Sequence, residues 1–285
     1  MSSDSVMRAC EKDCQALANR HYENFVVGSI LLPRRLRQPF YNIYAFCRTA
    51  DDLADESPSP EIALQRLADF QQQLDATFAG SPPENLFLPL RHTIDQFGLA
   101  KQPFDDLLSA FRQDQTQTRY QTSCDLVDYC QRSANPVGRI LLKVAECFDD
   151  VSASLSDEIC TGLQLVNFWQ DVARDYAMGR VYLPIDVLHE SGLDIETLNQ
   201  TSTPAALRDV IRRQCDSAEQ YFQRGLPLAE RVPRWFASDI KLFAHGGLAT
   251  LDAIRKIDFD VLRVRPKVTK TRQLTLVARA ALGWL

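Results

Sequence analysis

A chain of 285 residues with 45% hydrophobic content can bury a sizeable core, and one large domain is the favoured division. A net charge of −5 and a pI near 5.5 argue against a broad basic surface and against a nucleic-acid partner. The eight cysteines, at 10, 14, 47, 124, 130, 147, 160 and 215, form no Cys-x-x-Cys and no zinc-like spacing; they read as small apolar residues of a reducing cytoplasm.

The N-terminus, Met1 to Glu11, mixes acidic and basic residues without an apolar stretch, so no signal peptide is expected, and no run reaches the roughly 18 apolar residues of a membrane span. Only 11 glycines and 14 prolines punctuate the chain, and the prolines fall between long periodic stretches. The pattern predicts an all-α protein. One helix is expected over 5–19, then an irregular passage through Phe25 and Gly28 to Pro33. A second helix starts near Arg37 and ends at Glu56, before Ser57-Pro58-Ser59-Pro60. Further helices are expected over 61–79, 86–97, 104–118, 125–134, 137–149 and 157–177. A turn over Gly179 to Pro184 precedes short helices near 185–190 and 194–199, long ones over 203–225 and 234–259, and a last one over 272–285. Asn135-Pro136 interrupts two apolar helices. Proline there disfavours the helical region for Asn135, and such a break in a buried helix often lines a cavity.

Two carboxylate clusters stand out, Asp51-Asp52-Leu53-Ala54-Asp55 and the segment Asn167 to Asp175. Residues four apart share a helix face, so Asp51 points with Asp55, and Asn167 with Asp171 and Asp175. Like charges at that spacing cost an isolated helix roughly 0.2–0.5 kcal/mol each. Facing an apolar cavity they cost far more unless a cation neutralises them. One Asp-x-x-x-Asp on a helix is ordinarily a solvated face. Two of them, each near the end of an apolar helix where carboxylates oppose the dipole, suit an oxygen-ligand Mg²⁺ site that holds a diphosphate. Such a site stabilises the charge that grows on diphosphate as a carbon–oxygen bond breaks, and it calls for an apolar, aromatic cavity around the cation left behind. Phe25, Tyr41, Tyr44, Phe46, Phe168 and Trp169 are near the motifs, although helical phase sends some of them into the core. Arg48, one turn before Asp51, is equally an intrahelical ion-pair partner. His21 and His245 alone read as packed or surface residues.

From Tyr41 to Asp55 the sequence resembles the squalene and phytoene synthase family. The resemblance continues through Leu31-Leu32-Pro33, Thr118-Arg119-Tyr120, Tyr129-Cys130, Ala134 to Gly138, Gln164 to Asp175, Gly179 to Pro184 and Asp260 to Pro266, from about residue 17 to 275. It implies a single-domain, all-α isoprenoid synthase fold around a central cavity and Mg²⁺-dependent chemistry on prenyl diphosphates with two or three ions. It further implies that Asp51, Asp55, Asn167, Asp171 and Asp175 hold Mg²⁺ and diphosphate, and that Arg48, Arg180 and Arg265 contact phosphate. On the same footing Gln164, Tyr44 and Tyr182 help place substrate, His21, Asn24 and Phe25 bind it at the N-terminal side, and Tyr129 and Phe259 line the cavity.

Gln170 stands where many family members have an arginine, and Asn135-Pro136 replaces a glycine-containing stretch. These features look most like the bacterial hydroxysqualene synthases of hopanoid biosynthesis, which turn presqualene diphosphate and water into hydroxysqualene. On that reading Asn135, with Tyr129 or Gln170, positions the water, and no NADPH is expected. The alternatives are condensation of two farnesyl diphosphates, and a non-catalytic lipid-binding or assembly role. The segment Thr269 to Leu285 combines Lys270, Arg272 and Arg279 with Leu274, Leu276 and Trp284. It suits a helix packed on the bundle, the favoured reading, or one resting on an anionic membrane surface near partner enzymes. A cytoplasmic location, peripheral at the inner membrane face in the second case, is expected.

Overall fold

The computed structural model describes residues 3–20 and 32–285, whose regular structure is helical. The helices are α1 (Ser3–Arg20), α2 (Arg34–Asp55), α3 (Pro60–Phe78), α4 (Phe87–Phe97), α5 (Gln102–Gln113), α6 (Ser123–Ser133), α7 (Asn135–Val144), α8 (Asp150–Ala177), α9 (Ile185–Glu190), α10 (Ala205–Gly225), α11 (Arg234–Lys256) and α12 (Lys270–Leu282). Short 3₁₀ turns occupy Ile195–Asn199 and Leu226–Glu230. The extended pairing among the described residues is an isolated bridge between Arg119 and Val181. The chain divides into two compact units, Met1–Thr116 with Pro136–Asp149, and Gln117–Asn135 with Asp150–Leu285.

In the first unit α2 is the element that carries the first acidic cluster. Pro33 sets an extended turn before it, and Leu36, Phe40, Ile43, Phe46 and Ala50 supply a buried stripe at helical spacing. Phe46 meets Phe70 of α3 at 5.3 Å and Phe104 of α5 edge-on at 5.1 Å, while Phe70 and Phe87 stand 4.8 Å apart. Asn42, buried in the same stripe, donates to the Pro89 carbonyl and to Thr93 Oγ1, both at 3.0 Å, and accepts from Gln38 at 2.8 Å. Aromatic packing and a satisfied polar bridge together fix the orientation of α2 within its unit.

In the second unit the long helix α8 is the spine. It begins seven residues before the expected start, because its first turns are polar and carry no apolar periodicity, with Val151 exposed. Its φ/ψ departs from helical at Asp171 (−108°, 15°), inside the second acidic cluster. The expected non-helical residue at Asn135 is instead Ala134, with φ −124° and ψ −48°, and Asn135 opens α7. Pro136 is then in the first turn, where its missing backbone N–H costs no helical bond.

Phe222 of α10 is fully buried where glycines on two helices make room for it. A methyl at Gly162 of α8 would lie 3.2 Å from its ring, and one at Gly247 of α11 would collide with it outright. Gly246, the neighbouring residue, faces open space. The two glycines therefore respond to alanine with opposite signs. Gly247→Ala is expected to lower stability by about 1–3 kcal/mol through overpacking, and Gly246→Ala to raise it by up to about 1 kcal/mol through helix propensity. Chemical denaturation of both variants checks the pair, and equal shifts would contradict the packing described.

Candidate active site

The first acidic cluster lies on the last turns of α2. Arg48 reaches forward along the helix, 3.2 Å from Asp51 and in closer contact with Asp52, with Glu56 at 3.8 Å. Its guanidinium thus neutralises its own helix, the intrahelical alternative left open by the sequence. Asp55 is exposed one turn beyond. Tyr44 sits one turn before Arg48; burial pushes its phenol up, Arg48 opposes this, and Asp52 and Asp51 add to it, so the hydroxyl stays protonated as a donor.

The second cluster projects from α8. Gln164 is half-buried and Asn167 exposed, and Asp171 and Asp175 follow on successive turns. Arg265 clasps both oxygens of Asp171, with the Nη2–Oδ2 contact at 3.0 Å. That hydrogen bonding holds the guanidinium pKa up against burial, and the charges of Asp171 and Asp175 reinforce it. Gln170 donates to the Pro266 carbonyl at 2.7 Å. Adjacent residues of α8 thereby hold adjacent residues of the basic segment. Gln170, expected with Asn135 or Tyr129 to position a water, spends one amide N–H on this bond.

Behind Asp175 the helix ends in a Schellman turn. Gly179 takes φ 81°, its N–H reaches the Tyr176 carbonyl at 2.9 Å, and the Arg180 N–H returns to the Asp175 carbonyl at 2.8 Å. The loop then pairs with Thr118 to Tyr120 through Val181 N–H to Thr118 O at 2.8 Å and Ile185 N–H to Tyr120 O at 3.0 Å. This pairing delivers Tyr182 onto Phe168, the rings stacked 3.9 Å apart at 11°. Tyr120 and the buried Tyr129 complete the group, at 5.8 and 6.1 Å from Tyr182. A cavity of about 10 Å³, room for about one water, lies among Phe168, Asp175, Arg180 and Tyr182.

Several expected site residues are placed elsewhere. Asn135 is 3% exposed, and its Oδ1 accepts from Thr161, part-way along α8, at 3.0 Å, so this oxygen ties the start of α7 to the middle of α8. Trp169 and Phe46 are core residues. Phe259, in the left-handed region at φ 57°, lies under the guanidinium of Arg212 at 5.9 Å. His21, Asn24 and Phe25 lie outside the described residues.

Asp260 opens the basic segment Asp260 to Pro266, and residue order alone gives it no role. Asp260 is 3% exposed, accepts the Thr203 N–H at 2.8 Å, and pairs with Arg208 at 3.2 Å and Arg263 at 3.1 Å. It fixes the start of the irregular segment that carries Arg265. Its i,i+3 spacing to Arg263 was legible in sequence; Thr203 and Arg208, more than fifty residues away, were not.

Among the described residues no three His, Cys, Asp or Glu side chains gather as a metal-holding group. The donors of both clusters are carboxylate and amide oxygens, which suit Mg²⁺ in kind, and guanidinium groups now neutralise Asp51, Asp52 and Asp171. All eight cysteines are free, and burial pushes Cys14, Cys47, Cys130 and Cys215 up to about 12, which keeps them inert thiols. No described helix is long and apolar enough to cross a membrane.

Comparison with known proteins gives a consistent result. A crystal structure of squalene synthase HpnC from Alicyclobacillus acidocaldarius superposes with a TM-score of 0.85 and 39% identity, covering 89% of this chain and 96% of that one. The 15-cis-phytoene synthase of Synechococcus elongatus is 29% identical over 279 residues, 92% of this chain and 89% of the relative. A ligand-bound dehydrosqualene synthase shares the fold at a TM-score of 0.87, with 24% identity and 97% of each chain covered. The architecture is the all-α isoprenoid synthase fold of enzymes acting on prenyl diphosphates. The squalene/phytoene synthase profile matches residues 18–272, and the chain belongs to that family.

Proposed function

We propose that this protein is a hydroxysqualene synthase, converting presqualene diphosphate and water into hydroxysqualene and diphosphate. The observation that carries the reading is Gln170: where many family members place an arginine beside the aspartate, this residue is neutral and tied to the Pro266 carbonyl. Position 170 therefore brings no cation to a second diphosphate, which favours ionising one substrate over joining two. Asp51, Asp55, Asn167, Asp171 and Asp175 would hold Mg²⁺, which when bound supplies charge neutralisation for the departing diphosphate. Arg265 and Arg180 bind phosphate oxygens, Arg265 leaving Asp171 to do so. The carbon–oxygen bond breaks with its electron pair on diphosphate, the cyclopropylcarbinyl cation rearranges, and water adds and loses a proton. Tyr129, Phe168 and Tyr182, packed together behind Asp175, would form an aromatic wall that excludes bulk water until capture. Water ends the reaction, so no reductant enters.

The second reading, condensation of two farnesyl diphosphates, is favoured by the 29% identity to a phytoene synthase. Purified protein with Mg²⁺ is expected to convert presqualene diphosphate to the C30 alcohol, detected by mass spectrometry, and to leave farnesyl diphosphate unconsumed. Consumption of farnesyl diphosphate with presqualene diphosphate untouched would replace the first reading by the second.

A further inference from the structure

Seven large apolar side chains stand exposed among the described residues, and four of them, Val264, Leu274, Leu282 and Trp284, belong to the C-terminal stretch. From Arg263 to Leu285 the chain carries six cationic side chains and no Asp or Glu, although the net charge of the whole protein is −5. The apolar exposure and the excess positive charge therefore coincide. α12 packs on α11 through Leu276 and Ala280, one turn apart and buried. Its end is fixed: Gly283 takes φ 72°, the Trp284 N–H bonds the Arg279 carbonyl at 2.8 Å, and Lys241 of α11 donates to the Leu285 carbonyl at 2.7 Å. Away from the buried pair, Leu274, Ala278, Ala281 and Leu282 are all exposed, with Trp284 just beyond. An open groove of about 550 Å³ adjoins the start of the helix, bordered by Lys256, Lys267 and Arg272, with Asp252 as its one acid. Arg265 also borders it, its guanidinium on Asp171.

We propose that α12 and the basic segment before it dock the protein on an anionic lipid bilayer. Leu274, Leu282 and Trp284 enter the headgroup boundary, and Lys267, Lys270 and Arg272 face the lipid phosphates. Charge selects this occupant. A second copy of the same face would set Lys267, Lys270 and Arg272 against their own like charges, and a ridge of two leucines, two alanines and one tryptophan is far short of the roughly 1,000 Å² that a stable protein interface needs. A bilayer supplies both the negative field and the apolar interior that this surface matches.

Co-sedimentation of the full chain with phosphatidylcholine vesicles, with and without phosphatidylglycerol, tests the proposal. Because no substrate is present, the outcome is separate from that of the hydroxysqualene assay. Binding is expected only with phosphatidylglycerol present, weakening as salt rises, and with a blue shift in tryptophan emission that a Trp284→Leu variant lacks. Lys270→Gln with Arg272→Gln is expected to weaken partition roughly 30-fold, each cation near such a surface being worth about 1 kcal/mol. These positions are exposed, so the melting profile is expected to be unchanged and serves as the folding control. Equal binding to neutral vesicles, absence of binding at low salt, variants that bind as the parent does, or a dimer through this face that ignores vesicles would each overturn the proposal.

Discussion

Asp239→Asn protein is expected to be more stable than the parent at pH 8, and nearly equal to it at pH 4. Asp239 lies on α11 with 2% of its surface exposed, and its Oδ1 finds no hydrogen-bond partner. Burial alone pushes its carboxyl up to about 8, with no neighbouring charge contributing. The unfolded chain releases this proton near pH 4, whereas the folded protein keeps it until about pH 8. Between those values the unfolded state binds fewer protons, and each pH unit lowers the parent's stability by about 1.4 kcal/mol. Across the window the loss is on the order of 5 kcal/mol, which the isosteric amide avoids because it has no charge to bury. Denaturant titrations of both proteins at several pH values measure this directly. A gain independent of pH would show that Asp239 titrates normally. The residue lies outside every acidic motif, and its burial identifies it as a stability cost carried by α11.

Asp260→Ala acts in the opposite direction. Removing this buried carboxylate takes one partner from Arg208, which keeps Asp258 and the Thr203 carbonyl, frees the exposed Arg263, and leaves the Thr203 N–H without its acceptor. Leaving that buried donor unsatisfied costs about 1–3 kcal/mol. The segment from Val261 to Pro266 then loses its anchor, and Arg265 its register on Asp171. A lower unfolding midpoint, with any surviving folded enzyme showing a raised KM for its diphosphate substrate, is the expected result; a near-parental midpoint would contradict the anchoring role. The bond from the Thr203 backbone, followed by the charges of Arg208 and Arg263, holds the Asp260 carboxyl below its usual range despite burial. Its contribution is therefore complete above the ordinary carboxyl pKa and disappears as pH falls through the lower folded value. Together the two aspartates place the parent's greatest stability on the mildly acidic side, and Asp239→Asn should extend that plateau through neutrality.

Much of this architecture could be read from residue order. Proline punctuation marked the ends of α2, α3 and α6, and periodic apolar residues gave their types. Boundaries slipped where polarity hid the period, as at the start of α8, or where proline acted one residue earlier than expected, as at Ala134. The two acidic clusters were legible because four-residue spacing is a property of the helix itself. What their carboxylates touch was only partly so. Arg48 lies within helical reach of Asp51, but nothing in spacing foretells that Arg265 will reach back 94 residues to Asp171 or that Asn135 will be joined to Thr161. Asp239 escaped notice for a similar reason: a lone acid in an amphipathic helix reveals its cost only when its surroundings are known.

Gln170 and Asp171 hold Pro266 and Arg265 by bonds of different kinds. The amide-to-carbonyl bond is neutral and scarcely responds to ionic strength, whereas the guanidinium–carboxylate clasp is 45% exposed on the arginine side and weakens as salt screens it. An arriving anion competes for the second bond and not for the first. The segment is therefore tethered at a pivot beside a detachable charge: Arg265 can swing from Asp171 to a phosphate while Pro266 keeps its place, so the exchange moves a side chain and leaves the backbone where it was.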